Sequence, residues 1–328
     1  MEFFKDLIVA YKAGNLNNYF GRKTALENEY WYQKILAANI ENSLIQNKTN
    51  IGLIGYVCDE GVKRNQGRIG ARKGPKSVRS KLGKLPIHFN NKRITDFGDI
   101  ICVDNHLEDC QKALSKIISK LISNNVLPIA IGGGHDIAYA SFNGIKDTLK
   151  ESSKNKIGII NFDAHFDLRK VETQPNSGTP FNQILSENSS AAYFAIGIQQ
   201  QSNTKELFKI ASKNNVSYVS SFHCETFTED LKTKLETFIK KVDYLYITID
   251  LDGFSSAYAP GVSAPSPLGF TPNFVYKVLE FLFLSKKVIS CDIAELNPDL
   301  DIDEHTANLA ARLVDFIVLN AQKNLLEV

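Results

Sequence analysis

The chain has 328 residues, of which 43% are hydrophobic and 23% are charged, and its formal net charge at pH 7 is +2. These proportions are typical of a soluble globular protein, and a charge so close to zero gives no field that would attract nucleic acid or an anionic membrane surface. The length suits one large α/β domain or two ordinary domains.

The N-terminal sequence MEFFKDLIVAYKAG does not predict a signal peptide, because Lys5 and Asp6 interrupt its apolar residues and no small-residue cleavage site follows a long apolar core. No segment approaches the roughly 18 apolar residues that a transmembrane helix needs. The cysteines are few and widely spaced, without a C-x-x-C pair: Cys58, Cys102, Cys110, Cys224 and Cys291. This usage favours free thiols in a reducing cytosol over a disulfide framework or a zinc site, so we expect a cytoplasmic protein.

The predicted elements, in chain order, begin with a polar segment. Residues 1–50, which include Trp31, are expected to form a helical lead-in packed on the core of one domain that covers 51–328. Apolar runs then predict strands of a buried parallel sheet: 51–57, 94–101, 127–131, 157–162, 192–198, 216–219, 244–249 and 288–293. Amphipathic patterns predict helices between them: 106–123, 204–213, 229–241, 273–284 and 305–322. This alternation predicts an α/β fold with helices on both faces of the sheet.

Side chains of the metal-binding type lie at the ends of three predicted strands: His135, Asp163, His165, Asp167, Asp250 and Asp252. Residues two apart on an extended chain point to the same side, and the carboxyl ends of parallel strands form the edge where open α/β sheets place their ligand sites. Four carboxylates beside apolar strands are too many negative charges to bury without cations. The pattern therefore predicts a site for two divalent metals.

Each of these groups has a simpler explanation when it is taken alone. A D-x-D at a strand end is often a cap or a turn, and the glycines at 132–134 before His135 also suit a tight βα turn or a phosphate cradle. No Lys-Ser/Thr follows them, which disfavours a P-loop. The oxygen-rich ligand set with two imidazoles suits Mn²⁺ best, with Fe²⁺, Co²⁺, Ni²⁺ or Zn²⁺ as alternatives. Two such ions about 3.5–4 Å apart activate water for hydrolysis.

The chain resembles the ureohydrolase superfamily of arginases and agmatinases. The matching motifs are GGGHD (132–136), DAHFD (163–167), DLDGF (250–254) and AELNP (294–298), in the order in which the superfamily carries them. The resemblance implies a three-layer α/β sandwich around an eight-stranded parallel sheet, and hydrolysis of a C–N bond in a guanidinium or amidine with two Mn²⁺ ions. It also implies which residues bind them: His135, Asp163, Asp167 and Asp250 for one ion, and Asp163, His165, Asp250 and Asp252 for the other.

Within the superfamily, the chain is most similar to the formimidoylglutamase branch of histidine degradation, through GVKRNQGRIGARKGP (61–75), DAHFDLR (163–169) and NSGTPFNQIL (176–185). That branch converts N-formimino-L-glutamate and water to L-glutamate and formamide. Arg169 stands where arginase-like enzymes carry a neutral asparagine. Its guanidinium would repel an α-ammonium and bind a carboxylate through two hydrogen bonds; a surface acid is the alternative partner.

Further substrate contacts are expected near Arg169. The neutral candidates, for which loop capping is the alternative, are Ser177, Thr179 and Asn182. The basic candidates are Arg64, Arg68 and Arg72, which would form a second anion-binding group or remain solvated charges.

Two acids are expected to act in catalysis. The resemblance makes Glu295 the partner of the substrate amidinium, which two parallel N–H bonds would orient; a structural salt bridge is the alternative. Asp167 would stabilise the tetrahedral intermediate. Arginases that resemble this chain carry a proton-shuttling histidine in the loop after the DAHFD motif, but residues 168–185 contain no histidine. Asp167 or a metal-bound water is therefore the expected proton carrier.

Other functions stay open from the sequence alone. Another ureohydrolase, such as an arginase, an agmatinase or a guanidino-acid hydrolase, is the nearest alternative. A non-catalytic metal-binding protein on the same fold and a nucleotide-binding protein belong to different classes. The resemblance also implies a homo-oligomer that acts on a small-molecule substrate.

Overall fold

The computed structural model describes residues 3–23, 26–41, 49–89, 92–149 and 155–321. Within these ranges, one sheet of ten strands runs through the molecule. Its strands are β1 (Val9–Lys12), β2 (Leu36–Ala37), β3 (Ile51–Val57), β4 (Ile94–Cys102), β5 (Leu127–Ile131), β6 (Ile157–Phe162), β7 (Ala191–Ile198), β8 (Ser217–Ser220), β9 (Tyr244–Asp250) and β10 (Val288–Ala294). The main order across the sheet is β1-β4-β3-β5-β10-β9-β6-β7-β8, and β2 pairs with β4.

The strands from β3 to β10 are all parallel to one another. They are the eight strands predicted from the apolar runs, with boundaries that differ by no more than one residue. Every residue of β5, β6 and β10 is buried, as expected for strands covered by helices on both faces. The predicted α/β fold is therefore confirmed.

The N-terminal segment differs from the expected helical lead-in. Its described residues contain one four-residue α-helix, α1 (Trp31–Lys34), and a short 3₁₀ turn, whereas β1 and β2 are strands. The outer edge of β4 offers backbone N–H and C=O groups that need partners, and β1 pairs antiparallel along Asp99–Cys102 while β2 pairs with Thr95 and Asp96. Edge pairing thus overrides the local helical pattern and raises the strand count from the expected eight to ten.

The helices after this segment are α2 (Glu60–Arg64), α3 (Gly74–Leu82), α4 (Leu107–Ser123), α5 (Ile137–Thr148), α6 (Pro180–Glu187), α7 (Lys205–Lys213), α8 (Glu229–Ile239), α9 (Pro272–Leu284) and α10 (His305–Asn320). The hydroxyls of Thr204, Thr228 and Thr271 cap α7, α8 and α9 by accepting from a backbone N–H in the first turn, which offsets unpaired helix donors. One layer contains α4 packed on α5, and another contains α10 packed on α3 and α9. Trp31 is buried and donates to Asp315 of α10.

The central strands position the functional loops. β5, β10, β9 and β6 are consecutive neighbours in the sheet, and the segments that follow their carboxyl ends carry His135, Glu295, Asp250 and Asp163. Parallel strands bring these ends to one edge. Among the described residues, no helix is both long enough and apolar enough to cross a bilayer.

A buried ionic cluster joins α3 to the edge of the sheet. Arg79 is fully buried and donates to Asp96 Oδ1 at 2.9 Å, Asp99 Oδ1 at 2.5 Å and the Gly98 carbonyl at 2.8 Å. The Tyr19 hydroxyl donates to the second oxygen of Asp96 at 3.0 Å. The guanidinium therefore compensates two acids that would otherwise be unpaired inside the protein.

We expect Arg79→Met to lower the free energy of unfolding by about 3–5 kcal/mol, because it leaves the buried Asp96 without its cation. Urea denaturation followed by circular dichroism measures this change. The matched control is Lys73→Met, which removes an exposed ion pair with Asp299 and should cost no more than about 1 kcal/mol. Equal losses in the two variants would contradict the stabilising role of the buried cluster.

Candidate active site

The six predicted metal-binding side chains lie in two overlapping groups at the carboxyl edge of the sheet. His135, Asp163, Asp167 and Asp250 form one group, and Asp163, His165 and Asp252 form the other. Within each group, the ligand-type atoms all lie within 4.8 Å of one another. Asp163 belongs to both groups, so its carboxylate lies between them.

The glycines at 132–134 hold the segment before His135 between two strands. Their N–H groups donate to the carbonyls of Ile293 at 2.7 Å, Tyr56 at 2.8 Å and Cys58 at 3.0 Å. A Cβ on Gly133 would lie 1.6 Å from the Cys58 carbonyl oxygen, so no larger residue fits. Because all three N–H groups are already bonded, this turn is not a phosphate cradle, and its role is to position His135.

The D-x-H and D-x-D spacings close two local turns and also direct carboxylate oxygens into the site. Asp163 Oδ1 accepts from the backbone N–H of His165 at 2.7 Å, and Asp250 Oδ1 accepts from that of Asp252 at 2.8 Å. These are the turns that the alternative interpretation of the motifs expected. Each turn uses only one carboxylate oxygen, which leaves the second oxygen to face the cluster.

His135 Nδ1 lies at the centre of the first group. It is 2.9 Å from Asp167 Oδ2, 3.1 Å from Asp250 Oδ2 and 3.2 Å from Asp163 Oδ2. In the second group, His165 Nδ1 is 3.3 Å from Asp252 Oδ2 and 3.4 Å from Asp163 Oδ1. Three carboxylates that point at one nitrogen form a strongly negative pocket.

Burial and mutual repulsion perturb the acids of this pocket. Burial, followed by the charges of Asp252 and Asp163, raises the pKa of Asp250 well above its usual range. Burial also raises the pKa of Asp167 and of Asp252. Burial acts in the same direction on Asp163, but hydrogen bonds from His135 and His165 lower its pKa below the usual value. These opposed pKa shifts show that ionisation of all four acids together is unfavourable without added positive charge.

The donor set fits a pair of hard or borderline divalent cations. Four carboxylates and two imidazoles are the ligands that Mn²⁺ and similar ions accept. Oδ1 of Asp252 is buried without a hydrogen-bond partner, and a buried carboxylate oxygen in that state needs a cation or a donor. The residues of the site therefore match the metals that the sequence predicted.

The second nitrogen of His135 is fixed from behind. His135 Nε2 lies 3.0 Å from Thr248 Oγ1, and Thr248 is fully buried on β9. Asp292 is the register partner of Thr248 on the neighbouring strand and accepts from Ser141 and Tyr246. The contact with Thr248 fixes the orientation of the imidazole and directs Nδ1 toward the carboxylates.

The two predicted catalytic acids adopt unusual backbone conformations. Asp167 has φ 48° and Glu295 has φ 70°, values at which residues other than glycine are strained. Glu295 is held there by its N–H bond to the Gly133 carbonyl, and its Oε1 accepts from the His135 N–H at 2.9 Å. Burial, with a further contribution from the charge of Asp252, raises the pKa of Glu295 to about 8.

These groups open into one cavity of about 320 Å³. Its lining includes His135, His165, Asp167, Asp250, Asp252, Glu295, Arg68, Arg169, Ser177, Asn65 and Asn203. Toward the solvent, Arg169 donates to Asn65 Oδ1 at 2.6 Å, and Asn65 Nδ2 donates to Ser177 Oγ at 3.1 Å. The cavity thus has an acidic interior and a cationic, hydrogen-bonding mouth.

Comparisons with known proteins agree with this geometry. The model of the Arginase family matches residues 49–319. The chain belongs to the arginase family. It is similar to a protein named formimidoylglutamase from Clostridium tetani, with 40% identity over 94% of this chain and 96% of that relative.

Solved structures support the same fold. Formimidoylglutamase from Bacillus subtilis superposes with a TM-score of 0.78 at 22% identity, and the match covers 92% of this chain and 93% of that one. Trypanosoma cruzi formiminoglutamase with Mn²⁺ superposes with a TM-score of 0.74 at 23% identity, over 86% of this chain and 98% of that one. At these identities, the likeness concerns the arginase fold.

Two predicted substrate-binding residues have other contacts in this arginase-family site. The Thr179 hydroxyl donates to the Asn176 carbonyl and accepts from the Asn176 N–H, and Thr179 is fully buried. Asn182 donates to the Leu168 carbonyl. Neither residue lines the cavity. Thr179 closes its own turn with Asn176, and Asn182 holds the loop after Asp167, which are the contacts expected from the capping alternative. Ser177 does line the cavity.

The second anion-binding group does not form as expected. Arg64 is paired with Glu60 and Glu108, and Arg72 is exposed, so neither joins Arg68. Arg68 lines the cavity, but its guanidinium donates to the carbonyls of Ser263 and Val262. The segment bends after α2, and residues four apart therefore do not share a face.

Sequence reasoning missed three polar residues of the site. Asn65 joins Arg169 to Ser177, and Thr248 supports His135. Asn203 accepts from the Phe166 N–H and donates to the Ala164 carbonyl, which holds the loop after β6. Asn65 could have been identified from the sequence because it lies inside the 61–75 motif. Nothing in the local sequence indicates a role for Thr248 or Asn203.

We expect Thr248→Val to weaken Mn²⁺ binding about 10- to 100-fold, because it keeps the shape of the side chain but removes the bond that orients His135. Titration of the metal-free protein with Mn²⁺, followed by calorimetry, measures the change. The control is Thr237→Val, an exposed threonine on α8 that bonds only its own helix. Unchanged affinity in the first variant would contradict the positioning role of Thr248.

Proposed function

We propose that the protein hydrolyses N-formimino-L-glutamate to L-glutamate and formamide, with two Mn²⁺ ions. The observation that carries the proposal is the combination of His/Asp clusters, a buried glutamate and Arg169 around one cavity. The relatives of similar length that share 40% identity are named formimidoylglutamase, which supports the same reaction. The protein is a hydrolase of linear amidines in this proposal.

The metal ligands follow from the two groups of donors. His135, Asp163, Asp167 and Asp250 would hold one ion, and Asp163, His165, Asp250 and Asp252 would hold the other. A pair of such ions supplies Lewis acidity that makes water a nucleophile near neutral pH. The second oxygen of Asp250 is left after its turn is closed. The second oxygen of Asp163 accepts from Asn161 at 3.1 Å and also faces His135, so both acids suit the shared position.

Glu295 suits the amidine end of the substrate. Its carboxyl group is buried beside His135 and lines the cavity. An amidinium presents two parallel N–H groups that a carboxylate accepts together, and this pairing would hold the reacting carbon in one orientation. A cationic partner also favours the ionised form of a buried acid.

Arg169 suits the glutamate end of the substrate. The guanidinium lies at the mouth of the cavity, and Asn65 accepts one of its N–H groups and orients it. N-formimino-L-glutamate has two carboxylates and no free α-ammonium. Arg169 would therefore bind a carboxylate of this substrate and repel the α-ammonium of arginine, while Ser177 offers a neutral hydrogen bond beside it.

Proton transfer is assigned to Asp167. Its Oδ2 faces His135 inside the cavity, and the surrounding structure holds its backbone at a strained φ of 48°. Asp167 would hold the proton that the leaving nitrogen needs. A homo-oligomeric assembly and a cytoplasmic location complete the proposal; they rest on the family resemblance and on the cysteine usage.

A guanidino-acid hydrolase is the second candidate, because Arg169 would bind its carboxylate equally well. A substrate panel with Mn²⁺-loaded protein separates the two. Release of formamide from N-formimino-L-glutamate is the expected result. Release of urea from a guanidino acid or from arginine, without turnover of N-formimino-L-glutamate, would overturn the proposal.

We expect Arg169→Met to lower kcat/KM for N-formimino-L-glutamate about 10- to 150-fold, which corresponds to the roughly 1.5–3 kcal/mol of a charge-assisted hydrogen bond. Steady-state kinetics measure this loss, which should come mainly from KM. The control is Lys170→Met, which removes a positive charge from the exposed neighbouring position. If both variants lost activity equally, general electrostatic attraction would explain the effect and Arg169 would not bind the substrate directly.

Removal of the metals should abolish turnover and destabilise the protein. Without cations the buried carboxylates repel one another, and restoring Mn²⁺ at about 100 times its dissociation constant should return ~2.7 kcal/mol of stability. Dialysis against a chelator, followed by thermal melting and assays with and without added Mn²⁺, measures both effects. Sodium salts at equal ionic strength serve as the control. Full turnover by protein with no detectable metal would refute a metal-dependent mechanism.

A further inference from the structure

Three of the five cysteines meet at a point outside the catalytic cavity. The sulfurs of Cys58, Cys102 and Cys110 all lie within 4.8 Å of one another. Within the described part of the chain, none of the three lines the cavity. The other two cysteines, Cys224 and Cys291, are buried elsewhere and do not belong to this group.

Each sulfur comes from a different element of the fold. Cys102 ends β4, and Cys58 directly follows β3, which is parallel to β4 with Val57 paired to Ile101. The two cysteines are therefore the next neighbours in register. Cys110 lies in the first turns of α4, which packs against β4. Two strand ends and one helix thus fix the three sulfurs without any contribution from a long loop.

We propose that Cys58, Cys102 and Cys110 form a binding site for a soft closed-shell cation such as Zn²⁺, for which Cd²⁺ is a spectroscopic substitute. Three sulfurs bound about 2.3 Å from one ion lie roughly 4 Å apart, so the cluster needs only a small contraction. Thiolates select soft ions, whereas the oxygen-rich catalytic site favours Mn²⁺. The two sites would therefore bind different metals.

The surroundings of the sulfurs suit a thiolate site. Cys58 and Cys110 are buried, and Cys102 is partly exposed, so an ion has an entry path and a solvent molecule can complete a tetrahedral shell. The thiols would release their protons when the ion binds, because the thiolate is the form that ligates a metal.

A disulfide between Cys58 and Cys102 is the competing possibility. Neighbouring parallel strands lie about 4.8 Å apart, within the Cα separations that disulfides span. The position of the third sulfur favours a cation site over a disulfide. A disulfide would use only two of the thiols, whereas a cation would use Cys110 as well.

The test is a titration of Cd²⁺ into reduced, Mn²⁺-loaded full-length protein under anaerobic conditions. The expected result is one Cd²⁺ per chain, a thiolate-to-cadmium charge-transfer band in the ultraviolet, and protection of the partly exposed Cys102 thiol from a thiol-reactive reagent. Cys58→Ser, Cys102→Ser and Cys110→Ser should each weaken binding by more than about 100-fold, beyond the range for residues that only support a ligand.

Matched controls come from the remaining cysteines. Cys224→Ser and Cys291→Ser should keep the charge-transfer band and the Cd²⁺ affinity of the unmodified protein. Circular dichroism and thermal melting identify a variant that fails to fold, and Cys102→Ser, at the most exposed position, keeps the test decisive in that case. Two outcomes would overturn the proposal. One is absence of the band with the Cys102 thiol still reactive after Cd²⁺ is added. The other is loss of two thiols, counted in unfolded protein without metal, that a reductant restores, which would assign a disulfide.

Discussion

The concentration of negative charge around His135 is the constraint on which the rest of the site depends. Three carboxylate oxygens lie within 3.2 Å of one imidazole nitrogen, in a region where burial raises the pKa of Asp250 well above its usual range. Bare acids at such distances would protonate or move apart. The sheet edge prevents them from moving, because Asp163 and Asp250 are tied to their own turns. Bound cations would balance the charge while all four acids stay ionised.

A rigid backbone holds the charged side chains of the site in place. The glycines at 132–134 are bonded to β3 and β10, and Glu295 is held in a left-handed conformation at φ 70° by its bond to Gly133. Strain of this kind persists only where the surrounding structure outweighs it. Thr248 lies behind His135 and hydrogen-bonds its second ring nitrogen, which opposes rotation of the imidazole away from the acids. The fold therefore fixes the donors before any ion or substrate binds.

Much of this was predictable, and the limits have physical causes. The strands from β3 to β10 and the six donors are readable because apolar runs and residues two apart carry local signals. Thr248, Asn203 and the pairing of Arg64 with Glu108 depend on contacts between distant segments, which no local pattern encodes. Thr179 and Asn182 illustrate the ambiguity of loop residues, since the same side chains suit a substrate or a turn. The N-terminal strands form because an exposed sheet edge needs partners.

The cysteine cluster follows from the same topology as the catalytic site. Both lie at the carboxyl edge of the sheet, yet their donors differ. The cysteine cluster offers sulfur near β3 and β4, whereas the catalytic site offers oxygen and nitrogen near β5, β6 and β9. Hard ions avoid thiolates and soft ions prefer them, so proximity does not lead to competition. A direct backbone link exists nonetheless, because the Cys58 carbonyl accepts from Gly134, the residue before His135. A shift of Cys58 around a bound ion would therefore act on the segment that positions His135, because the backbone at Gly133 is packed directly against the Cys58 carbonyl.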